Sequence, residues 1–427
     1  MRTIIKFFKN SYEKVLRSIA FYPVIISLGF LILALGGMRM DHLEVISALK
    51  ENVPYLFIQD YDTAKSILST LIGGILSLTV FSFSMVMVVL NQASSNFSPR
   101  LLPDLISNKR HQIILGIYIG TLLYCIIILM ALGAYGVDKS SLGLSTMLAA
   151  AMGVVCTGIF VYFINTISKA IQIQNIIDRI FSSSHSYLTR EIDNTSFKAA
   201  DAINEIETDD WTVINATKTG YFRGFDGSLL KSSIEEQDNV IYVLPYINRH
   251  VWAGHPILKI KNKVSKEERE NLLFCITTSS DRHEGDKGIG GMIKLMEIAV
   301  KAMSPGINDP GTAIDVIVKL GQLIKEFLHF PPFTIDRRHD EACMIVRNVI
   351  PASELMRLLM QPLRLYSKQD SSVCHTLIEV LQYIIEDHKI DSVKKAPVIQ
   401  ELNALQEDIK SSIANSADRE RLLGLID

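Results

Sequence analysis

Residues 67–90 read ILSTLIGGILSLTVFSFSMVMVVL, a run of 24 residues without a single Asp, Glu, Lys, Arg or His. A helix of about 20 such residues is long enough to cross the roughly 30 Å hydrocarbon core of a bilayer. Three further runs of this kind occupy residues 19–38, 113–135 and 142–166. The sequence therefore predicts an α-helical membrane domain with four transmembrane helices within residues 1–168.

Charges beside the apolar runs predict the orientation of the chain. Residues 1–18 carry five Lys or Arg residues and the connection 91–112 carries three more, whereas the connection 41–66 is acidic. Because basic flanks stay on the cytoplasmic side, we expect a multi-pass protein of the bacterial inner (plasma) membrane with both termini in the cytoplasm. The first run is too long for a secretory signal and lacks a small-residue cleavage site, so we expect a retained helix.

Hydroxyl-bearing and small residues recur along one face of the second run. They are spaced by three, four or seven residues, which a helix of about 3.6 residues per turn brings into a single row. We call this face the polar row, and its members are Ser66, Thr70, Gly73, Ser77, Ser84 and Asn91. Ser69, Gly74 and Ser82 are expected to widen it. Two interpretations stay open: the row packs against a neighbouring helix, or it lines a water-filled path.

A polar segment, NQASSNFSPR, follows the second run at residues 91–100. Gln92, Ser95 and Arg100 in this segment are candidates for the inner mouth of a membrane pathway, where a fixed cation would disfavour the passage of cations. The alternative is an anchor at the membrane interface, with Arg100 at the level of the lipid headgroups.

The chain after residue 168 predicts a cytoplasmic α+β region. We expect a helical linker over residues 169–210. Residues 211–280 are rich in β-branched and aromatic residues interrupted by glycine and proline, which predicts a small module like a β-barrel or sandwich. Residues 281–427 predict a mainly helical domain, a bundle. Four of its helices are expected near residues 338–349, 352–366, 371–387 and 395–414.

The stretch SPGINDPGTA at residues 304–313 joins two predicted helices of that domain. Its serine–proline pair should end the first helix, because a residue before proline disfavours the helical conformation. Gly306 allows a positive φ at this corner. The later aspartate–proline pair predicts an N-cap followed by the first residue of the second helix.

A second polar segment, DRHEGDKG at residues 281–288, precedes the first of these two helices. Asn308 has no role in the turn that local chemistry explains, and both segments need polar partners. We therefore expect the two segments to converge into a polar site for a small ligand. Its candidate residues are Arg282, His283, Asp286, Ser304, Asn308 and Asp309.

Four segments occur in order behind the paired apolar runs: NQASSNFSPRLL, LGIYIGTLLYC, TGYFRGFD and AMSPGINDPGTA. In these segments the chain resembles an uncharacterised bacterial family of predicted multi-span membrane proteins, a domain of unknown function marked by ASSxFSPR and SPGINDP motifs. The resemblance covers nearly the whole chain, and it implies the topology above and a cytosolic C-terminal region. Family members tend to carry an acidic–Arg pair and a later Asp before the hairpin, matched here by Asp281, Arg282 and Asp286. Where the family often has a bulky aromatic residue, this chain has Gly311.

Motifs for catalysis are missing from the sequence, which has no phosphate loop, no nucleophile elbow and no metal-spaced set of His or Cys residues. We therefore expect no enzymatic activity, no catalytic residues, no cofactor and no bound metal. The five cysteines are expected to be buried free thiols in a reducing compartment. A formal net charge of −2 argues against a nucleic-acid partner.

The apolar runs also lack the ionisable residues that ion-coupled transporters use. The sequence favours a homo-oligomeric, channel-like protein in the lipid bilayer, with the second helix near the axis and a cytoplasmic regulatory domain. The alternative is a non-conducting membrane-anchored sensor or scaffold whose cytoplasmic domain binds a ligand or partner.

Overall fold

The computed structural model describes residues 20–41, 57–58, 60–96, 109–134, 143–170, 172–193, 208–236, 238–280, 288–338 and 343–426. The chain forms two compact units that divide after Ile176, the short segment 96–98 apart. We call the part up to Ile176 the four-helix unit and the part from Ile177 the C-terminal unit.

The four-helix unit contains the predicted apolar helices. In chain order they are α1 (Phe21–Met40), α2 (Tyr61–Asn96), α3 (Lys109–Ala134) and α4 (Gly143–Ala170). Each is long and apolar enough to cross a membrane, which confirms the prediction of four such helices. The 36 residues of α2 span about 54 Å at roughly 1.5 Å per residue, more than the hydrocarbon core requires.

Glycines allow α1 and α3 to approach closely. A Cβ atom added to Gly120 would lie 2.7 Å from the ring of Phe30, and one added to Gly116 would lie 2.9 Å from the side chain of Ile26. Small residues four apart let two helix backbones pack tightly in a membrane, where van der Waals contact drives association. The pair Gly116 and Gly120 on α3 therefore forms a packing face that α1 fills.

Asp41 joins the end of α1 to the start of α4. Its carboxylate accepts hydrogen bonds from the backbone N–H groups of Leu144 and Ser145, each at 3.0 Å, and from the Ser145 hydroxyl at 2.5 Å. Asp41 is buried, and a negative charge at a helix N-terminus is favoured by the helix dipole. The first helix thus supplies the cap of the fourth.

The described part of the C-terminal unit contains two sheets. The larger has five strands in the order β1 (Thr212–Asn215), β5 (Pro256–Ile260), β3 (Asn239–Val243), β8 (Cys343–Asn348) and β7 (Phe333–Arg338). The smaller has the order β4 (His250–Val251), β2 (Gly220–Phe225) and β6 (Ile276–Ser279). All pairs are antiparallel except β3 with β8, which run parallel.

The prediction of a helix near residues 338–349 is wrong, because strand β8 occupies residues 343–348 of that stretch. It pairs with β3, about 100 residues earlier, from Asn239 opposite Cys343 to Val243 opposite Arg347. A short apolar run cannot be assigned to helix or strand by periodicity alone. The mixed α/β character of this region is confirmed, whereas a barrel or sandwich within residues 211–280 is not.

The remaining described helices follow α4 along the chain. They are α5 (Ile173–Asp193), α6 (Ser232–Glu235), α7 (Lys266–Phe274), α8 (Ile289–Ala302), α9 (Pro310–Leu328), α10 (Ala352–Ser367), α11 (Ser371–Ile385), α12 (Ser392–Ser412) and α13 (Ser416–Leu423), and Gly227–Leu229 is a 3₁₀ turn. The helices expected near residues 352–366, 371–387 and 395–414 are confirmed as α10, α11 and α12. In α5, Asp178 pairs at 2.9 Å with Lys319 of α9.

Candidate functional site

The second membrane helix carries two opposite faces. One face is buried in the core of the four-helix unit, and its members recur every four or seven residues: Ala64, Leu68, Ile75, Ser82 and Val89. The polar row is exposed along its whole length, at Ser66, Thr70, Gly73, Ser77, Ser84 and Asn91. Ile75 follows Ser66 by nine residues, and nine residues at about 100° each amount to two and a half turns. The polar row therefore points away from the other described helices.

Ser82 does not widen the polar row as expected. Ser69 and Gly74 are exposed beside the row, but Ser82 is only 3% exposed and belongs to the buried face. The physical reason is the helical register, because Ser82 follows Ser66 by sixteen residues, which places it about 160° around the helix.

The polar row is partly satisfied by its own helix. The Thr70 hydroxyl donates to the carbonyl of Ser66 at 2.8 Å, and the Ser77 hydroxyl donates to the carbonyl of Gly73 at 2.9 Å. Such bonds use the donor of each hydroxyl and leave its acceptor capacity available. A Cβ atom added to Gly73 or Gly74 would meet nothing within 4 Å, so the middle of the row is an open, flat surface.

The candidates for an inner mouth lie at the end of α2. Asn91 and Gln92 are exposed in the helix, and Ser95 lies in its last turn because α2 continues to Asn96. Arg100 lies outside the described residues, so its role as a fixed cation stays a prediction.

The corner SPGINDPGTA joins α8 to α9 by local chemistry. As predicted, Asp309 is the N-cap of α9: its carboxylate accepts from the Thr312 backbone N–H at 3.1 Å and from the Thr312 hydroxyl at 2.6 Å. The Ser304 hydroxyl donates to the carbonyl of Lys301 at 2.6 Å. Both polar side chains therefore have structural partners, Asp309 within the corner and Ser304 in the last turn of α8.

The positive φ of this corner falls on Asn308, at 51°, and not on Gly306, although glycine would allow it there. The backbone N–H of Asn308 donates to the carbonyl of Ser304 at 3.0 Å, and that of Asp309 donates to the carbonyl of Ala302 at 2.9 Å. These bonds place the left-handed residue two positions after the glycine. Asparagine tolerates that conformation better than other non-glycine residues, so Asn308 has a structural role that the sequence did not reveal.

The predicted polar site combines two segments at opposite ends of α8. Arg282, His283 and Asp286 lie outside the described residues, and the described chain resumes at Gly288, the N-cap of α8. The corner follows the other end of this 14-residue helix, about 20 Å away at roughly 1.5 Å per residue. Their convergence stays a prediction. Among the described residues, no group of three or more His, Cys, Asp or Glu side chains is placed to hold a metal ion.

Two features of the four-helix unit were missed from the sequence. The glycine pair at residues 116 and 120 carried a usable signal, since glycines four apart in an apolar run favour close helix packing. Asp41 carried none beyond its acidity, because its partner α4 begins about 100 residues later.

Four apolar helices followed by a mixed α/β unit define the chain as a membrane protein of the multi-span α-helical class. The chain belongs to the family described as "Predicted membrane protein (DUF2254)", which matches residues 17–383. It is similar to the uncharacterised proteins Rv1290c of Mycobacterium tuberculosis and Mb1321c of Mycobacterium bovis. Each is 22% identical over 381 residues, which cover 83% of this chain and 68% of the relative. No solved structure matches the chain significantly.

Proposed function

We propose that the protein is a homo-oligomeric, channel-like protein of the bacterial inner membrane, with α2 of each copy near the symmetry axis. In this proposal both termini and the C-terminal unit lie in the cytoplasm, and the C-terminal unit regulates the pathway without catalysing a reaction. The observation that carries the proposal is the exposure of the whole polar row on the face of α2 opposite its buried face.

The polar row needs a surrounding other than lipid hydrocarbon. Hydrocarbon offers no hydrogen-bond partner to the hydroxyl and amide groups of the row, so contact with lipid leaves them poorly solvated. Cyclic symmetry would bring the same face of every copy to one axis, where other copies or water supply partners. From Ser66 to Asn91 the row extends about 38 Å at roughly 1.5 Å per residue, enough to cross the hydrocarbon core.

The alternative is a non-conducting sensor or scaffold in which the polar rows of several copies pack without water between them. The self-bonded hydroxyls of Thr70 and Ser77 favour this alternative, because they need water less. The open surface at Gly73 and Gly74 also suits a closely packed helix from another copy. Both functions require an oligomer, and only the first requires a water-filled axis.

The test is modification of single cysteines introduced into α2 in reconstituted liposomes. We expect a water-soluble thiol reagent to modify Ser77→Cys and to reduce ion flux through the purified protein. Phe83→Cys is the matched control, because Phe83 is 54% exposed but lies about 100° away from the row.

Failure of the reagent to modify Ser77→Cys, together with no ion flux through the protein, would support the non-conducting alternative. A monomeric protein in mild detergent and in liposomes would contradict both. Native Cys125 and Cys156 are buried and present in both variants, so any modification of them is the same in both measurements.

A further inference from the structure

A cavity of about 620 Å³ lies within the C-terminal unit, between the β3–β4 connection and the first turns of α8 and α10. Its volume falls in the range of small-molecule sites, roughly 300–1,000 Å³. Ile289, Ile293 and Ile350 line it and are buried. The cavity therefore has an apolar floor large enough for the body of a small organic ligand.

Charged side chains line the same cavity. Arg357 donates to the Glu354 carboxylate through Nε at 2.7 Å, and the Tyr246 hydroxyl donates to it at 3.1 Å. Arg249 lies over the Tyr246 ring, with its guanidinium carbon 5.7 Å from the ring centre. Two arginines against one glutamate leave one net positive charge among the described lining residues. The Arg357 side chain is 59% exposed, so it is accessible to a ligand.

Two helix N-termini add to this positive charge. Ile289 and Ser353, in the first turns of α8 and α10, both line the cavity. The N-cap residues are Gly288 and Pro351, which have no side-chain oxygen to cap the helix. Each helix N-terminus acts as about half a positive charge. Together with the charged side chains, the described lining of the cavity contributes about two positive charges.

Aromatic rings form one wall. The His250 ring meets the Tyr221 ring edge-on at 5.0 Å, and both residues line the cavity. His250 Nδ1 is a buried atom without a hydrogen-bond partner among the described residues. Burial, and secondarily the Glu354 carboxylate, raise the pKa of Tyr246 to about 12, so its hydroxyl stays a donor at neutral pH. This wall of the cavity therefore offers flat aromatic rings for stacking and polar atoms for hydrogen bonds to a ligand.

We propose that this cavity binds a phosphomonoester that carries a planar or apolar body, such as a nucleoside monophosphate. The phosphate lies at Arg249, Arg357 and the two helix N-termini, and the body lies against Tyr221 and the isoleucine floor. A phosphomonoester carries a charge of about −1.5 to −2 at neutral pH, which matches the positive charge of the cavity better than a single carboxylate does. This binding proposal does not depend on whether the membrane helices conduct ions.

The test is calorimetric titration of the purified full chain with adenosine monophosphate, adenosine and inorganic phosphate. We expect adenosine monophosphate to bind at least about tenfold more tightly than either fragment, since it alone has both the charge and the body. Inorganic phosphate as tight as the nucleotide would show a simple anion site and overturn the proposal. Absence of saturable binding by all three ligands would overturn it too.

Two variants with opposite expected effects test the placement of the phosphate. Arg249→Gln should weaken binding at least about tenfold, because it removes a charge-assisted hydrogen bond. Glu354→Gln should strengthen binding about threefold or more, because it removes the carboxylate that competes for Arg357. Damage to the fold would weaken binding in both variants. Arg269→Gln, at an exposed arginine of α7 outside the cavity, is the control and should bind like the unmodified chain. Weaker binding by Glu354→Gln, or unchanged binding by Arg249→Gln, would contradict the proposal.

Discussion

The glycine pair of α3 and the glycine pair of α2 have the same chemistry and opposite surroundings. At Gly116 and Gly120 an added Cβ atom would collide with side chains of α1, whereas at Gly73 and Gly74 it would meet nothing within 4 Å. Small residues in a membrane helix indicate close packing in both places. The difference is that the chain itself supplies a partner for the glycine pair of α3 and, among the described residues, none for the glycine pair of α2.

We call the face of α3 at Gly116 and Gly120, which α1 covers, the closed surface. The face of α2 at Gly73 and Gly74 is the open surface. The closed surface belongs to the fold of one copy, and substitutions there should reduce the free energy of unfolding. The open surface should matter only when copies assemble. Substitutions that change one property and spare the other therefore test the comparison directly.

The largest loss of stability is expected from Gly120→Ile. Its side chain would overlap the ring of Phe30, and overpacking a well-packed core costs about 1–3 kcal/mol. Gly133→Ile is the control on the same helix, because a Cβ atom there meets nothing within 4 Å. Thermal unfolding in detergent should show a lower midpoint for Gly120→Ile alone. Equal midpoints would mean that α1 and α3 are not packed as described.

The second-largest effect on stability is expected at Asp41, which caps the N-terminus of α4 in the four-helix unit. Asp41→Ala should destabilise the four-helix unit by about 0.5–2 kcal/mol, because the first N–H groups of α4 lose their acceptor. Asp41→Asn keeps one acceptor oxygen and should lose less. Asp62→Ala, at an exposed acidic residue in the first turn of α2, is the control. An equal loss in Asp41→Ala and Asp62→Ala would contradict the capping role of Asp41.

A third effect tests whether Asn308 acts through its backbone or its side chain. Its φ of 51° costs most residues about 1 kcal/mol or more, and glycine does not pay this penalty. Asn308→Ala should therefore destabilise the C-terminal unit by about 1 kcal/mol, and Asn308→Gly should leave it nearly unchanged. If Asn308→Gly preserves stability but changes ligand binding or flux, the side chain itself is functional and the corner contributes to a site.

The smallest effect is expected from Ser77→Leu on the open surface. It should weaken assembly by about 0.6 kcal/mol, the average measured for polar contacts between membrane helices, without changing the unfolding midpoint of one copy. Phe83→Leu is the control, because Phe83 is exposed off the polar row. Oligomer size by light scattering is the measurement. If Ser77→Leu and Phe83→Leu assemble alike, the polar row is not an interface.

Much of the fold was predictable because its causes are local. Charge-free runs longer than about 20 residues have to be helices in a membrane, since hydrocarbon offers no partners to backbone N–H and C=O groups. The N-cap at Asp309 was predictable for the same kind of reason, because the bonds it makes reach only three residues along the chain. The position of the positive φ in this corner was not predictable, since Gly306 and Asn308 can both adopt it.

The sequence by itself determined the four membrane helices, the periodicity of the polar row and the turn between α8 and α9, because each depends on neighbours within one or two helical turns. Only the tertiary structure decided that β8 is a strand, since its partner β3 lies about 100 residues away. It also decided which glycine face is closed and which is open. The cavity arises in the same way, because Arg249 and Arg357 come together only when distant segments pack. Contacts between distant segments depend on the three-dimensional packing, and spacing along the chain does not encode them.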